Sequence, residues 1–396
     1  MMKILLYINI ILIFFPAFSL SYPFTGIYFQ SRILGLPLLI WYAFINNKKV
    51  KKDLFVFVVA LLICLITPIL GLLTNRSYSL IDIGYISSFL YLIIFAQIMG
   101  NNLDLFVNFI KVFTLANIFY SVLQTILMNI GLETLAMIHS NLPVKVNSGY
   151  VLPASILPYT YRFSGLFNES SPLIFYLCSS YIFLAEISPE NRSKNTFIIQ
   201  ILTLLTILIS GSKYSYAFLI NYLIIKLIAS VKDKIFRRFL YVIVLSLSLY
   251  LFNQYFSTIL TSMSEILPAF EDRKVNIENS ITLLLELEPM GNGFLPSSTG
   301  ESGGLDAITI IVGGYGVLFG MTILISFLVW ILLSKVKNKP IFVVVYILGL
   351  LSSGSFLISQ YTLFFTMIYV INQQYKITEF NFVKSERKHY CLESKT

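Results

Sequence analysis

Apolar runs of roughly bilayer length follow one another along nearly the whole chain, and this constrains the fold more than any other feature. A helix crossing the hydrocarbon core needs about 20 apolar residues, with about 17 as the usual lower limit. Runs of about that length fall at 4–20, 32–46, 54–73, 80–99, 104–130, 172–187, 196–210, 214–230, 239–254, 306–333, 341–356 and 358–374. Of the 396 residues 57% are hydrophobic and 12% charged, about half the charged share of an ordinary soluble domain. One protein core cannot hide that much apolar surface, whereas a bilayer can. The fold class expected is an all-α polytopic membrane protein with about 12 transmembrane helices. Residues 341–374 are long for one crossing and short for two. Ser352-Ser353-Gly354-Ser355 offers a turn between two, and the basic residues on both sides require an even number of crossings. Met1–Ser21 fits either a signal peptide or an uncleaved first helix; the helices that follow it favour the second.

The net charge of +9 could suggest a nucleic-acid surface, but no motif for one is present. Its placement suggests orientation instead. Alternate connections hold Lys3; Lys48, Lys49, Lys51, Lys52; Arg192, Lys194; Lys226, Lys232, Lys234, Arg237, Arg238; Lys335, Lys337, Lys339; and the tail cations from Lys376 to Lys395. That side carries twenty cations against seven on the other (Arg32, Arg76, Lys145, Arg162, Lys213, Arg273, Lys274), with Lys111 inside a helix. The positive-inside rule then makes both termini cytoplasmic. Cys64, Cys178 and Cys391 form neither a disulfide framework nor a metal motif, and His139 and His389 fall on opposite sides.

Two outward loops are long, 131–171 and 255–305, and long loops in compact proteins are usually functional or disordered. The expected organisation is five helices in 1–130, the first long loop in 131–171, four helices in 172–254, the second long loop in 255–305, three helices in 306–374, and a basic tail in 375–396.

The first loop ends in Arg162-Phe-Ser-Gly-Leu-Phe-Asn-Glu169-Ser-Ser-Pro172. Ser171 fits an N-cap and Pro172 the first helical position. Free N–H groups and the positive end of the helix dipole then favour an anion there, and Arg162 adds a fork that fits phosphate. A capped helix with a surface Arg162–Glu169 pair is the alternative. Ser210-Gly-Ser212-Lys213 is a tight outward turn whose lysine either snorkels or faces an anionic lipid headgroup. The second loop offers Arg273, then Pro289-Met-Gly291-Asn-Gly293, then Asp306; solvated loop charges are the plain alternative. Asp82, Lys111 and Glu186 fall near helix ends, so interfacial placement is expected for them. No Asp-x-Asp occurs, and the first outward loop, 21–31, lacks any carboxylate. Both facts count against a metal-dependent membrane glycosyltransferase of the kind that relies on such groups.

Together these residues resemble the O-antigen polymerase (Wzy) family of bacterial inner-membrane glycosyltransferases. The likeness rests on Arg162-Phe-Ser-Gly165-Leu-Phe167-Asn-Glu169-Ser-Ser171 before a helix, on Ser210-Gly-Ser212-Lys213, and on Arg273 followed by Pro289-Met-Gly291-Asn-Gly293 and Gly313-Gly314-Tyr-Gly316. Ser170 stands where the family usually has Pro, and Lys213 where Arg is common. The related O-antigen ligases usually carry a His-Asn pair where this chain reads Leu305-Asp306-Ala307.

The resemblance implies a GT-C-like membrane fold with two large periplasmic loops, and substrates that are undecaprenyl-pyrophosphate-linked oligosaccharide repeats. It further implies a chain-length regulator and a flippase as partners, with no cofactor and no metal. Arg162, Lys213 and Arg273 are expected to bind the pyrophosphate, and Glu169 to act as base or as a bridge to Arg162. Asp306 is a secondary site residue, and Tyr161, with Tyr150 and Tyr159, is a sugar-stacking or interface-anchoring residue. An O-antigen ligase, a polysaccharide flippase and a non-catalytic assembly subunit stay open as alternatives.

Overall fold

The computed structural model describes residues 20–21, 28–29, 36–37, 39–41, 51–71, 80–132, 136, 163–167, 170–187, 194–210, 212–233, 235–237, 239–241, 243, 307–352 and 360–376. These residues are mostly helical. The long helices are α1 (Phe55–Gly71), α2 (Leu80–Gly100), α3 (Leu103–Asn129), α4 (Ser170–Glu186), α5 (Lys194–Ile209), α6 (Lys213–Ala229), α7 (Ala307–Leu333), α8 (Lys339–Ser352) and α9 (360–376). Their limits lie within two residues of those expected, except that α8 is described only to Ser352. Leu20–Ser21 pairs antiparallel with Tyr28–Phe29, so Leu20, expected to end the first helix, is extended. The expected spans 32–46 and 239–254 are described only in part, and 4–19, the second long loop and the tail beyond 376 lie outside the described residues.

Leu103–Asn129 and Gly314–Leu333 are long and apolar enough to cross a membrane. On α3, Val112, Leu115, Phe119, Val122, Ile126 and the following Ile130 form an exposed stripe, with Phe119 71% exposed. The spacing is that of one helix face. The buried face of the same helix carries Thr114, Asn117, Ser121 and Gln124. Soluble helices show the reverse pattern.

Helix α9 is the centre of the bundle. Every residue from Gln360 to Gln373 is buried, as a helix packed on all sides must be. Aromatic rings fill the space around it. Phe365 meets Phe57 at 5.4 Å and Phe327 at 4.9 Å between centroids, and Tyr361 meets Phe175 at 4.6 Å. Hydroxyls then tie neighbouring helices together. Tyr214 donates to Val345 O at 3.1 Å, Tyr346 donates to Leu324 O at 3.0 Å, and Tyr176 shares a 2.9 Å bond with Thr114. A helix carbonyl has a second lone pair for such a donor, so these bonds join helices without breaking any.

The helices alternate in direction, and one end collects the basic connections. There Lys376 pairs with Asp53 at 2.6 Å, and Gln373 donates to the same carboxylate at 2.6 Å. The Trp330 ring N–H reaches Asp53 O at 2.7 Å, and Lys51 reaches Gln373 Oε1 at 3.2 Å. Glu186, expected near a helix end, closes α4 here. It is buried, and its carboxylate accepts the backbone N–H groups of Lys337, at 2.9 Å, and Asn338. These groups sit where α8 begins and would otherwise be unpaired. A buried acceptor of two N–H groups explains why the charge is not at the surface.

Helix α7 also differs from its expectation as one helix over 306–333. Its backbone breaks at Gly316, with φ +83° and ψ +167°, a conformation that glycine adopts freely and side chains resist. A Cβ placed on Gly320 would lie 2.8 Å from the carbonyl oxygen of Ile311. Residues nine apart in an unbroken helix are separated by about 13 Å. The first arm, Ala307 to Tyr315, therefore folds back against the second, and Ala307, Ile311 and Tyr315 are buried with it. Hydropathy alone cannot register such a break.

Candidate functional site

Opposite the basic end, the segment that follows Arg162 turns inward and packs against α3 and α4. Phe163, Ser164 and Phe167 are buried, and Gly165 takes φ +58°. Three consecutive backbone N–H groups of this turn are captured by side-chain amides of α3. Gln124 Oε1 accepts from Ser164 N at 3.1 Å and Gly165 N at 2.9 Å, and Asn117 Oδ1 accepts from Leu166 N at 3.0 Å. Because backbone N–H groups only donate, these bonds also fix which way each amide faces. Gln124 Nε2 in turn faces Ala136 O at 3.3 Å, Ser164 Oγ at 3.3 Å and Gly165 O at 3.4 Å. Tyr120 donates to Ala136 O at 2.9 Å.

This arrangement keeps an irregular piece of backbone buried without leaving its polar groups unpaired, which a non-helical segment inside a helix bundle requires. It also needs glycine at 165. A Cβ there would stand 2.8 Å from Asn117 Oδ1 and 2.9 Å from Leu173 Cδ1. Rings of Phe167, Phe113 and Tyr176 seal the turn beneath, with Phe167 5.5 Å from Tyr176 and 6.0 Å from Phe113.

Helix α4 begins at Ser170, two residues earlier than expected. Ser171 is therefore inside the first turn and does not cap it. Pro172 remains in that turn, where its missing N–H costs nothing. At the same end, Phe175 in the second turn of α4 meets Tyr214 in the first turn of α6 at 6.3 Å. Between α5 and α6, Ser210 and Ser215 share a 2.6 Å hydrogen bond, and Ser215 also donates to Ser212 O at 2.7 Å. Ser212 precedes α6 in extended conformation with no side-chain cap. Lys213 opens the helix, and a cation in a first turn opposes the helix dipole.

Lys213 is thus the one expected site residue whose backbone is described; its side chain is not. Arg162, Glu169, Arg273, Asp306 and Tyr161, with Tyr150 and Tyr159, lie outside the described residues. Three of them adjoin described ones: Arg162 precedes Phe163, Asp306 precedes the buried Ala307, and Glu169 precedes Ser170 at the head of α4.

Sequence reasoning missed Asn117, Tyr120 and Gln124. The signal was available, because polar residues repeating at helical spacing in an apolar span mark an inward face. Compared with known protein families, with characterised proteins and with solved structures, the chain finds no match.

Proposed function

We propose that the chain is an O-antigen polymerase, a metal-independent glycosyltransferase of the bacterial inner membrane. It crosses the membrane about 12 times with both termini cytoplasmic. The membrane setting is supported by the exposed apolar stripe of α3 beside its polar buried face, since soluble proteins rarely leave such large apolar patches open. The lysine and arginine count of the connections supports the orientation.

The substrates are undecaprenyl-pyrophosphate-linked oligosaccharide repeats at the periplasmic face. A hydroxyl of one repeat attacks the anomeric carbon of the growing chain. The carbon–oxygen bond to the pyrophosphate breaks, and the lipid pyrophosphate leaves with the bonding electrons. Arg162, Lys213 and Arg273 bind that pyrophosphate, where fixed cations stabilise the charge that develops. Glu169 takes the hydroxyl proton. Tyr161 contributes a sugar-stacking surface, and Asp306 is a secondary site residue. A chain-length regulator and a flippase are the partners.

The observation that carries this reading is the turn from Phe163 to Phe167. It lies between the arginine and the carboxylate of the motif, and it is fastened to the bundle by four side chain–backbone bonds from Gln124 and Asn117 at the end where Lys213 opens α6. A connection that ran over the surface would need no such fastening.

The test is reconstitution. Purified chain in lipid vesicles, given lipid-pyrophosphate-linked repeats, is expected to produce lipid-linked polymers without a second protein. Transfer of whole chains to a lipid A core acceptor would instead identify a ligase. No elongation under any acceptor would reject the enzymatic reading.

A further inference from the structure

Resting on the polymerase reading, we propose that Gln124 is a positioning residue that fastens the neck of the first outer loop. Its carboxamide meets both limbs of that loop. On the outgoing limb it faces Ala136 O at 3.3 Å. On the returning limb it accepts from Ser164 and Gly165 at 3.1 and 2.9 Å. Residues 28 apart in sequence are therefore held by one side chain. Asn117 and Tyr120 lie on the same face of α3 and reinforce the two limbs separately, Asn117 at Leu166 N (3.0 Å) and Tyr120 at Ala136 O (2.9 Å).

The neck is closed by neutral groups buried in the bundle; Gln124 is 3% exposed. Buried amides of this kind resist exchange with water, so they fix the limb that follows Arg162 and precedes Glu169. They also spend the N–H groups of Ser164, Gly165 and Leu166 on α3. Those three groups are closed to an anionic ligand, which leaves recognition on this limb to side chains. Fixing a reacting geometry in this way contributes to turnover more than to substrate affinity.

The experiment uses the full chain in lipid nanodiscs with lipid-pyrophosphate-linked repeats, reading both hydrogen exchange and steady-state kinetics. Gln124→Leu is expected to lose exchange protection at Ser164 and Gly165 while α4 keeps its own. Its kcat should fall about 100-fold while KM stays within about threefold. Gln124→Glu keeps an acceptor for the two N–H groups but, when ionised, turns a carboxylate oxygen toward Ala136 O. Relative to wild type at the same pH, its turnover should recover as the pH falls, because the protonated carboxyl donates again. Lost protection with unchanged turnover overturns the positioning role, and so does retained protection in Gln124→Leu. The two readings fail separately: a wild-type chain that protects these amides but elongates nothing rejects the polymerase, whereas one that elongates as fast without Gln124 rejects the positioning role.

Discussion

Where Asp53 meets Lys376 the helices are joined by charges; where Gln124 meets Ser164 they are joined by neutral amides and hydroxyls. At the first end the Asp53 carboxylate accepts from Lys376 and Gln373, and the Glu186 carboxylate accepts the N–H groups that precede α8. At the second end, contacts among the described residues use Gln124, Asn117, Ser210, Ser215 and Tyr214. The two carboxylates at the basic end, Asp53 and Glu186, are therefore committed to packing. Of the cations that the sequence carries at the other end, Arg162, Arg273 and the side chain of Lys213 lie outside the described residues. The proposed function assigns those cations to chemistry, and the variants below test whether they also hold the bundle.

The largest expected effect is on the neutral end. Gly165→Val would force a β-branched side chain into φ +58° and against Asn117 and Leu173. Left-handed strain and overpacking together should cost about 3 kcal/mol, read as a fall in melting temperature in detergent. A variant as stable as wild type would show that the turn is not packed as described.

Next comes Glu186→Ala at the charged end. It leaves the N–H groups of Lys337 and Asn338 without their buried acceptor, a loss of about 2 kcal/mol. Asp53→Asn should cost less, about 0.5 kcal/mol, because its partner Lys376 is 41% exposed and the ion pair is screened. High salt should shrink the second loss more than the first. Equal salt sensitivity would remove the distinction between a buried acceptor and a surface pair.

The smallest effect on stability is expected at Lys213. Removing a cation from the first turn of α6 relieves an unfavourable dipole interaction, so Lys213→Ala should melt within about 0.5 kcal/mol of wild type. Elongation of lipid-linked repeats should nonetheless fall. Normal elongation would place Lys213 with the snorkelling lysines.

Much of this contrast was legible in the sequence, and the residues show why the rest was not. Apolar length and basic connections located the helices from α1 to α9, because burial of apolar surface sets where a helix begins and ends. The division of 341–374 into two helices followed from the need for an even number of crossings, and α8 and α9 are separate. The fold-back of α7 was hidden because Gly313-Gly314-Tyr-Gly316 is apolar enough to pass as continuous helix; the dihedral angles of Gly316 and the approach of Gly320 to Ile311 reveal it. The Arg162–Glu169 motif was visible as chemistry, but its fastening was not. Gln124 and Asn117 precede the backbone groups they bind by 41 and 49 residues; their spacing marks an inward face but not what that face holds. Glu186 was legible as a helix-end charge, but its partners, two backbone N–H groups, were not.

The division between holding and reacting is tested most directly by Arg162→Ala, measured in one preparation for both melting temperature and polymer length. A melting temperature equal to wild type, with surface polysaccharide reduced to single repeats, is the predicted result. A lowered melting temperature with long chains intact would contradict it, and would make Arg162 one more structural charge like Asp53.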